Sequence, residues 1–314
     1  MDIATLVRRL GGMAQKQQLV ALGARDHHLT DAVRRGAVTR ARQGWYTVLP
    51  PMEPRVRAVR VGGRLTGSSA IAAMGGWVRQ EGPLHVAVPR NAARLRSQTD
   101  RRLHPPAPRI AGVRLHWEDH PTGTATTVGV LDALHRMILD EPREAVIAAL
   151  DWALHTGRAA RLDVEALMLS VPRHRRIAWE HLDEQCESLP ESLARTRLRE
   201  AGHDVRSQVR LNGLERIDLV VDGVIGLEVD GDGFHRDHFL RDRDKDAATL
   251  RMHLVPHRVP AVRVFHSWPA VLATIESAIA DFGNSGTPTP KRRRRRSPRS
   301  PRAPIPEFPK RERE

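Results

Sequence analysis

The C-terminal part of this chain is organised around the stretch Glu215-Arg-Ile-Asp-Leu-Val-Val-Asp-Gly-Val-Ile-Gly-Leu-Glu-Val-Asp-Gly231. Apolar β-forming residues flank Asp222-Gly223, a turn signal, so the stretch predicts a β-hairpin. Its strands also contain three carboxylates, at Asp218, Glu228 and Asp230. Because burying an unpaired carboxylate is costly, these side chains should face a cleft, a cation or solvent. If they converge beside the hairpin, their oxygens would suit Mg²⁺.

The length of the hairpin loop determines whether Asp218 and Glu228 can share one face of a sheet. A two-residue loop pairs Val221 with Val224 and leaves the two carboxylates on opposite faces, because side chains alternate along a strand. A three-residue loop pairs Val221 with Ile225 and brings Asp218 opposite Glu228. A shared site therefore requires an odd loop or a bulge.

The segment from Pro190 to Ile279 resembles the very-short-patch-repair-like endonucleases of the PD-(D/E)XK superfamily. Five elements carry the resemblance in order: Glu191 opening a helix, Asp218 in Arg-Ile-Asp-Leu, Glu228-Val-Asp-Gly, His235, and Asp242-Arg-Asp-Lys-Asp-Ala-Ala-Thr-Leu. The resemblance implies a restriction-endonuclease-like mixed β-sheet flanked by helices. Asp230 departs from it, because the superfamily usually has lysine there, although many members of this branch do not. The candidates for the missing positive charge are Lys245, Arg241 and Arg243.

The resemblance also implies Mg²⁺-assisted hydrolysis of phosphodiester bonds. Asp218 and Glu228 would bind the ion, which polarises the scissile phosphate and lowers the pKa of a bound water. His235 would accept a proton from that water, and Glu191 would complete the outer shell of the metal. Asp230 and Lys245 complete the expected catalytic set. The alternative is a solvated acidic strand face without chemistry.

Residues 1–50 have the pattern of a winged helix-turn-helix. A first helix is expected from the apolar stripe Ile3, Leu6, Val7 and Leu10, a second over Ala14–Leu22, and a third from Asp26. Two short strands follow, at 37–40 and 45–48. In this arrangement the third helix is placed to enter a major groove.

The same fifty residues look like the N-terminal domain of AbiEi-type antitoxins from type IV toxin–antitoxin systems. The resemblance rests on Gly11-Gly-Met-Ala-Gln-Lys-Gln-Gln-Leu-Val-Ala-Leu-Gly23 and Gly36-Ala-Val-Thr-Arg-Ala-Arg-Gln-Gly-Trp-Tyr46. It implies binding to operator DNA, with phosphate or base contacts from Arg34, Arg35, Arg40 and Arg42. The alternative is a solvated basic face on a protein-binding module.

The rest of the chain divides into three parts. Residues 55–185 predict a helix-rich α+β middle domain that resembles, diffusely, the second domain of AbiEi-like chains. Its expected strands are Leu84-His-Val-Ala-Val and Val113-Arg-Leu-His-Trp, followed by helical spacing from Val128 to Glu187. Residues 188–283 form the nuclease-like domain. The Arg-, Pro- and Ser-rich tail at 284–314 is expected to be disordered.

Composition limits the possible functions. The 314 residues suffice for two or three domains, and no segment has the pattern of a membrane span or signal peptide. The single cysteine, Cys186, excludes an internal disulfide, and the 16 histidines form no recognised metal motif. Of the net charge of +14, the tail contributes +8, leaving a moderately basic body that agrees with binding to nucleic acid.

The leading hypothesis is an α+β or α/β multidomain, DNA-binding protein with a Mg²⁺-dependent endonuclease domain. The rival is a non-enzymatic antitoxin or transcriptional regulator whose nuclease-like fold is a scaffold. Asp218, Glu228 and His235 favour the enzyme, whereas Asp230 in place of lysine favours the rival. We expect a cytoplasmic, nucleoid-associated protein that binds DNA, with a cognate toxin or a second copy as a further partner and no membrane contact.

Overall fold

The computed structural model describes residues 1–79, 81–104, 110–119, 121–211, 215–231 and 239–283, without the side chains of 239–244. The expected general base His235 and the tail at 284–314 lie outside these residues, as do the side chains of Arg241 and Arg243. The described part is an α+β fold with three β-sheets, which confirms the predicted fold class at that level. None of its helices has the length and apolar character needed to cross a membrane.

The first fifty residues form three helices and a small sheet. The elements are α1 (Ile3–Arg9), β1 (Met13–Gln15), α2 (Lys16–Ala21), α3 (Asp26–Arg34), β2 (Thr39–Arg42) and β3 (Trp45–Thr47). The three predicted helices and two later strands are confirmed in order, but the second helix begins later than predicted. Met13–Gln15 instead pairs antiparallel with β3, in the strand order β1-β3-β2. A helical apolar pattern cannot reveal this pairing, because it depends on a partner thirty residues away.

The middle part contains a second sheet covered by helices. Its elements are α4 (Pro54–Val61), β4 (Arg64–Leu65), α5 (Gly67–Ala73), β5 (Leu84–Val88), β6 (Val113–Trp117), α6 (Val130–Asp140), α7 (Arg143–His155) and α8 (Arg161–Ser170). Both predicted strands, β5 and β6, are confirmed, and they pair in parallel. Parallel strands buried on both faces read as continuous apolar runs, and all of β5 is buried.

The C-terminal part is a four-stranded mixed sheet between helices. It contains α9 (Leu189–Glu200), β7 (Val205–Arg210), β8 (Arg216–Val221), β9 (Ile225–Asp230), α10 (Phe239–Arg251), β10 (Val255–Pro260), α11 (Ala261–His266) and α12 (Trp268–Gly283). The strand order is β10-β9-β8-β7; β7, β8 and β9 are antiparallel, and β10 runs parallel to β9. One face of β9, with Ile225, Leu227 and Val229, packs into a hydrophobic core shared with α9, α11 and α12.

Helix α10 approaches the other face of β9 closely because that face has a glycine. A Cβ at Gly226 would lie 2.7 Å from the Thr249 side chain, so a larger residue would displace the helix. Lys245 lies one turn before Thr249 on α10, and Glu228 lies two residues after Gly226 on β9. The contact between Thr249 and Gly226 therefore sets Lys245 above Glu228.

Helix α7 connects the middle part to the C-terminal part. It is buried on all sides from Val146 to Leu154, as expected for a helix packed between two layers. Asp151 on α7 and Arg195 on α9 are both fully buried and form an ion pair of 2.7 Å. Ser192 and the backbone N–H of Asp183 also donate to the Asp151 carboxylate, at 2.5 and 2.7 Å.

Candidate functional site

The hairpin of β8 and β9 has the register that a shared acidic site requires. Val221 pairs with Ile225, as expected for the three-residue loop rather than the two-residue loop. Asp222 and Gly223 both adopt positive φ, and the N–H of Val224 donates to the carbonyl of Val221 at 2.9 Å. The loop is therefore a tight turn at Asp222-Gly223 plus one further residue, Val224, before the first strand pair.

The two strands separate where the carboxylates begin. The last backbone pair of the ladder is Leu219 with Leu227, so Asp218 and Glu228 lie opposite each other just beyond it, on one face. There, the N–H of Val229 donates to Oδ2 of Asp218 at 2.9 Å. The side chain of Asp218 thus binds a backbone group that the ladder leaves without a strand partner.

Glu228 is held by one cation and has one unpartnered oxygen. Lys245 Nζ donates to Oε2 at 2.5 Å, whereas Oε1 is buried and has no hydrogen-bond partner among the described groups. Burial and the nearby Asp218 carboxylate raise the pKa of Glu228 to about 7, against the opposing effect of Lys245. In the metal-free protein Glu228 therefore titrates near neutral pH.

Glu191 lies at the N-terminal turn of α9, where Ser188 caps the helix. Its carboxylate accepts hydrogen bonds from Ser188 Oγ at 2.7 Å, from the N–H of Glu187 at 3.0 Å and from Gln208 Nε2 at 3.1 Å. Burial and then the charge of Asp218 raise its pKa. Burial also raises the pKa of Asp218. These three acidic side chains are thus electrostatically coupled in a partly dry environment.

Asp230 lies farther along the same face of β9 and is more exposed. Arg258 on β10 approaches its carboxylate at 3.7 Å and that of Asp246 on α10 at 3.3 Å. Asp230 therefore belongs to an ion-pair network at the edge of the site, and the ammonium group beside Glu228 comes from Lys245.

A second group of potential metal ligands lies in the middle part of the chain. Among the described residues, His85, His116 and Asp140 each offer a ligand atom within 4.8 Å of the other two, so this group could hold a metal ion. The sequence motifs gave no sign of it, because the three residues are far apart in the chain. The available signal was a histidine inside each of the two predicted strands β5 and β6.

Three of the arginines expected to bind DNA are exposed in the N-terminal part. Arg34 and Arg35 end helix α3, and Arg40 lies on β2. Arg34 forms an exposed ion pair with Asp31 at 3.0 Å, and Arg40 stacks over the Tyr46 ring at 5.5 Å. Exposed pairs of this kind are weak, so these guanidinium groups remain available to a phosphate.

Arg42 has a different environment from the other three arginines. Its guanidinium donates to the carbonyl oxygens of Arg60 at 3.1 Å, Val61 at 2.8 Å and Arg94 at 2.6 Å. Two of these carbonyls belong to the last turn of α4, where the helix itself offers no partner, and the N–H of Arg96 also donates to that of Val61 at 3.1 Å. Arg42 therefore joins strand β2 to the middle part, whereas Arg34, Arg35 and Arg40 are exposed.

Of the predicted catalytic residues, the structure brings Glu191, Asp218, Glu228 and Lys245 together, sets Asp230 at their edge and leaves His235 undescribed. The arrangement is a cluster of buried oxygen ligands with a single ammonium group beside it. No protein-family model matches this chain, and no curated protein matches it either.

Proposed function

We propose that the chain is a DNA-binding protein whose C-terminal domain hydrolyses phosphodiester bonds with the help of Mg²⁺. The observation that carries this proposal is the position of Asp218 and Glu228, opposite each other where β8 and β9 separate. Closely placed, half-buried carboxyls with raised pKa values support a cation site, because their surroundings disfavour the charged form unless a cation is near. A divalent ion would stabilise the charged carboxylates that this environment otherwise disfavours.

The donor set fits Mg²⁺. The ion prefers oxygen ligands, keeps several of its waters and is typically held by one or two carboxylates. Asp218 and the free Oε1 of Glu228 would be those ligands, and Glu191 would accept hydrogen bonds from the waters around the ion. When bound, Mg²⁺ supplies a polarised phosphate oxygen and a more acidic water.

Two protein residues would assist the hydrolysis, one by stabilising negative charge on the phosphate and one by accepting a proton. The Lys245 ammonium, beside Glu228, stabilises negative charge that develops on the phosphate during hydrolysis. The superfamily usually has a lysine at the position of Asp230. In this proposal Lys245 supplies the positive charge of that lysine. His235 keeps the role of general base that the resemblance implies.

The N-terminal part fits a DNA-binding module in this proposal. Residues 1–50 contain eight Lys and Arg against three Asp, a formal charge of +5. Three helices followed by a strand hairpin agree with a winged helix, in which α3 would enter a major groove and β2–β3 would be the wing. The C-terminal order α9-β7-β8-β9-α10-β10 agrees with a restriction-endonuclease-like core.

The direct test is cleavage of supercoiled plasmid DNA by the full chain, with Mg²⁺ or with a chelator. We expect nicked or linear DNA with Mg²⁺ and intact plasmid with the chelator. Intact plasmid under both conditions, together with retarded migration of the DNA, would contradict the enzyme and support the regulator.

The second candidate, a non-enzymatic antitoxin or transcriptional regulator, is favoured by one observation. The ion pair between Lys245 and Glu228 at 2.5 Å already neutralises one ligand oxygen of the proposed site. A scaffold that has lost its metal would keep its carboxylates from repelling one another in this way. The plasmid assay separates the two candidates, since both predict DNA binding and only one predicts cleavage.

We expect replacement of Glu228 by glutamine to stabilise the metal-free protein at high pH only. The folded state raises the pKa of Glu228 to about 7, above the ordinary value of 4.5. Between these two values the folded state binds a proton that the unfolded state lacks, so stability falls as pH rises. Above about pH 8 the charged carboxylate should cost about 3 kcal/mol, which the variant avoids.

This pH effect is measured by urea unfolding with a chelator present. The variant should be more stable than wild type at about pH 8.5 and nearly equal to it at about pH 3, below the ordinary pKa of 4.5, where Glu228 is protonated in both states. Asp281→Asn, an exposed change on α12, serves as the control and should show no difference at either pH. A gain of equal size at both pH values would contradict the assigned titration.

We expect the double variant Arg34→Ala/Arg35→Ala to bind DNA with a weaker dependence on salt. Each phosphate contact that is lost reduces counterion release, so the slope of log affinity against log salt should shrink by about 2. Arg8→Ala/Arg9→Ala removes two exposed arginines from α1 and is the matched control. If both pairs change the slope equally, α3 has no special position on the DNA.

A further inference from the structure

The group His85, His116 and Asp140 is assembled by the sheet of the middle part and the helix above it. Strands β5 and β6 are parallel, with His85 beside Arg114 and Ala87 beside His116. The two histidines therefore lie on one face, with ring centroids 5.1 Å apart. Asp140 is the last residue of α6 and completes the group from the helix.

All three side chains have buried polar atoms without partners. His85 and His116 are only 3% and 7% exposed. Nδ1 of His85, Nε2 of His116 and Oδ2 of Asp140 are buried and have no hydrogen-bond partner among the described groups. Native proteins rarely leave even one such atom unsatisfied, so three in one place indicate that these side chains bind a further group besides one another.

The distances between the group's atoms suit a metal better than hydrogen bonds. His116 Nδ1 lies 3.4 Å from Asp140 Oδ2, and His85 Nε2 lies 3.5 Å from Glu141 Oε1. These are long for hydrogen bonds to nitrogen. The first distance matches the separation of about 3.4 Å between neighbouring ligands of a tetrahedral ion with bonds of about 2.0–2.1 Å, and the three ligand atoms of the group all lie within 4.8 Å of one another.

The surroundings of both histidines disfavour the protonated, positively charged ring. Burial, and then the charge of Arg136, lower the pKa of His116 to about 3. Burial likewise lowers the pKa of His85. Burial therefore favours the neutral ring in both, which is the form of imidazole that binds a metal.

We propose that His85, His116 and Asp140 bind one divalent transition-metal ion, with Zn²⁺ as the first candidate. Two imidazoles and one carboxylate form a donor set that suits Zn²⁺ or Fe²⁺, whereas Mg²⁺ prefers oxygen alone. The fourth position is taken by a water or by Glu141, which already contacts His85. The ion links β5, β6 and the end of α6, so it stabilises the middle part and is independent of the acidic site on β8 and β9.

The test is Zn²⁺ binding to the full chain after removal of metals by a chelator. Calorimetry should show one tight equivalent, and Co²⁺ in its place should give the visible absorption bands of a four-coordinate ion. With Zn²⁺ at about a hundred times its Kd, the melting temperature should rise by about 5 °C. A wild-type chain that binds neither Zn²⁺ nor Co²⁺ would overturn the proposal.

Variants locate the site. Asp140→Asn keeps the shape of the side chain and should weaken Zn²⁺ binding at least tenfold, as should His116→Ala. His174→Ala, an exposed histidine of the same part, and Glu228→Gln at the acidic site should both bind as wild type does. Since the Asp140→Asn change is nearly isosteric, the comparison holds even if His116→Ala fails to fold. Equal Zn²⁺ affinity for Asp140→Asn and wild type would place the ion elsewhere and refute the assignment.

Discussion

Glu228→Gln should abolish Mg²⁺-dependent cleavage of plasmid DNA while leaving the protein folded and bound to DNA. Glutamine keeps the shape of the side chain and still accepts a hydrogen bond from Lys245, but it lacks the charge that would hold the ion. We expect the cleavage rate to fall on the order of 1,000-fold, which corresponds to about 4 kcal/mol of transition-state stabilisation. The rate of loss of the supercoiled form, at saturating protein, measures the effect.

The matched control is Asp281→Asn, which removes an exposed carboxylate from α12 in the same domain. It should cleave at the wild-type rate. Circular dichroism and DNA affinity should be unchanged for both variants, so that lost cleavage reports chemistry and not folding. If Glu228→Gln cleaves within threefold of wild type, the acidic cluster is not the metal site of the reaction.

Arg195→Ala should destabilise the chain by about 3–5 kcal/mol, because it leaves the fully buried Asp151 without its counter-ion. Burial already raises the pKa of Asp151 to about 6 in spite of Arg195, which shows how strongly the site disfavours the charged carboxylate. Since the pair joins α7 to α9, the loss should weaken the packing of the middle part on the C-terminal part. Urea unfolding followed by tryptophan fluorescence measures it, as Trp152 lies beside Asp151 on α7.

A surface ion pair across the same two helices provides the comparison. Arg143 on α7 faces Glu200 on α9 at 4.0 Å, with both side chains about half exposed. Arg143→Ala should therefore cost less than about 1 kcal/mol. The double variant Asp151→Ala/Arg195→Ala should cost less than the sum of its single variants. Arg195→Ala alone leaves Asp151 buried without its counter-ion, and Asp151→Ala alone leaves Arg195 only its longer pair with Asp183, at 3.4 Å. Additive costs would mean that the two residues stabilise the fold independently.

The local elements were predictable because they depend on short-range patterns. The apolar period of residues 1–50 predicted three helices, and the alternating runs predicted β5, β6 and the β8–β9 hairpin. Local patterns could not decide between a two-residue and a three-residue loop at Asp222-Gly223, because these residues favour a tight turn in either case. The burial of Ile225 and Leu227 against α9 and α12 selects the register that places Glu228 opposite Asp218.

The residue that supplies the cation beside Glu228 could not be identified from the sequence, which left a few candidates. Lys245 was one of three candidates, and the sequence offered no reason to choose among them. The close approach of α10 over Gly226 brings its ammonium group to the carboxylate. Arg42 was predicted from the sequence to contact DNA, but in the structure its side chain binds the end of α4.

The sequence by itself determined the first three helices, strands β5 and β6 and the β8–β9 hairpin with its acidic residues. It also determined the basic character of the first fifty residues. All of these follow from local composition and periodicity. Only the tertiary structure decided which distant groups meet. The pairing of Asp151 with Arg195 and the gathering of His85, His116 and Asp140 depend on how helices pack on strands far away in the chain. Local patterns contain no record of such contacts, because they arise only when separate apolar faces are buried together.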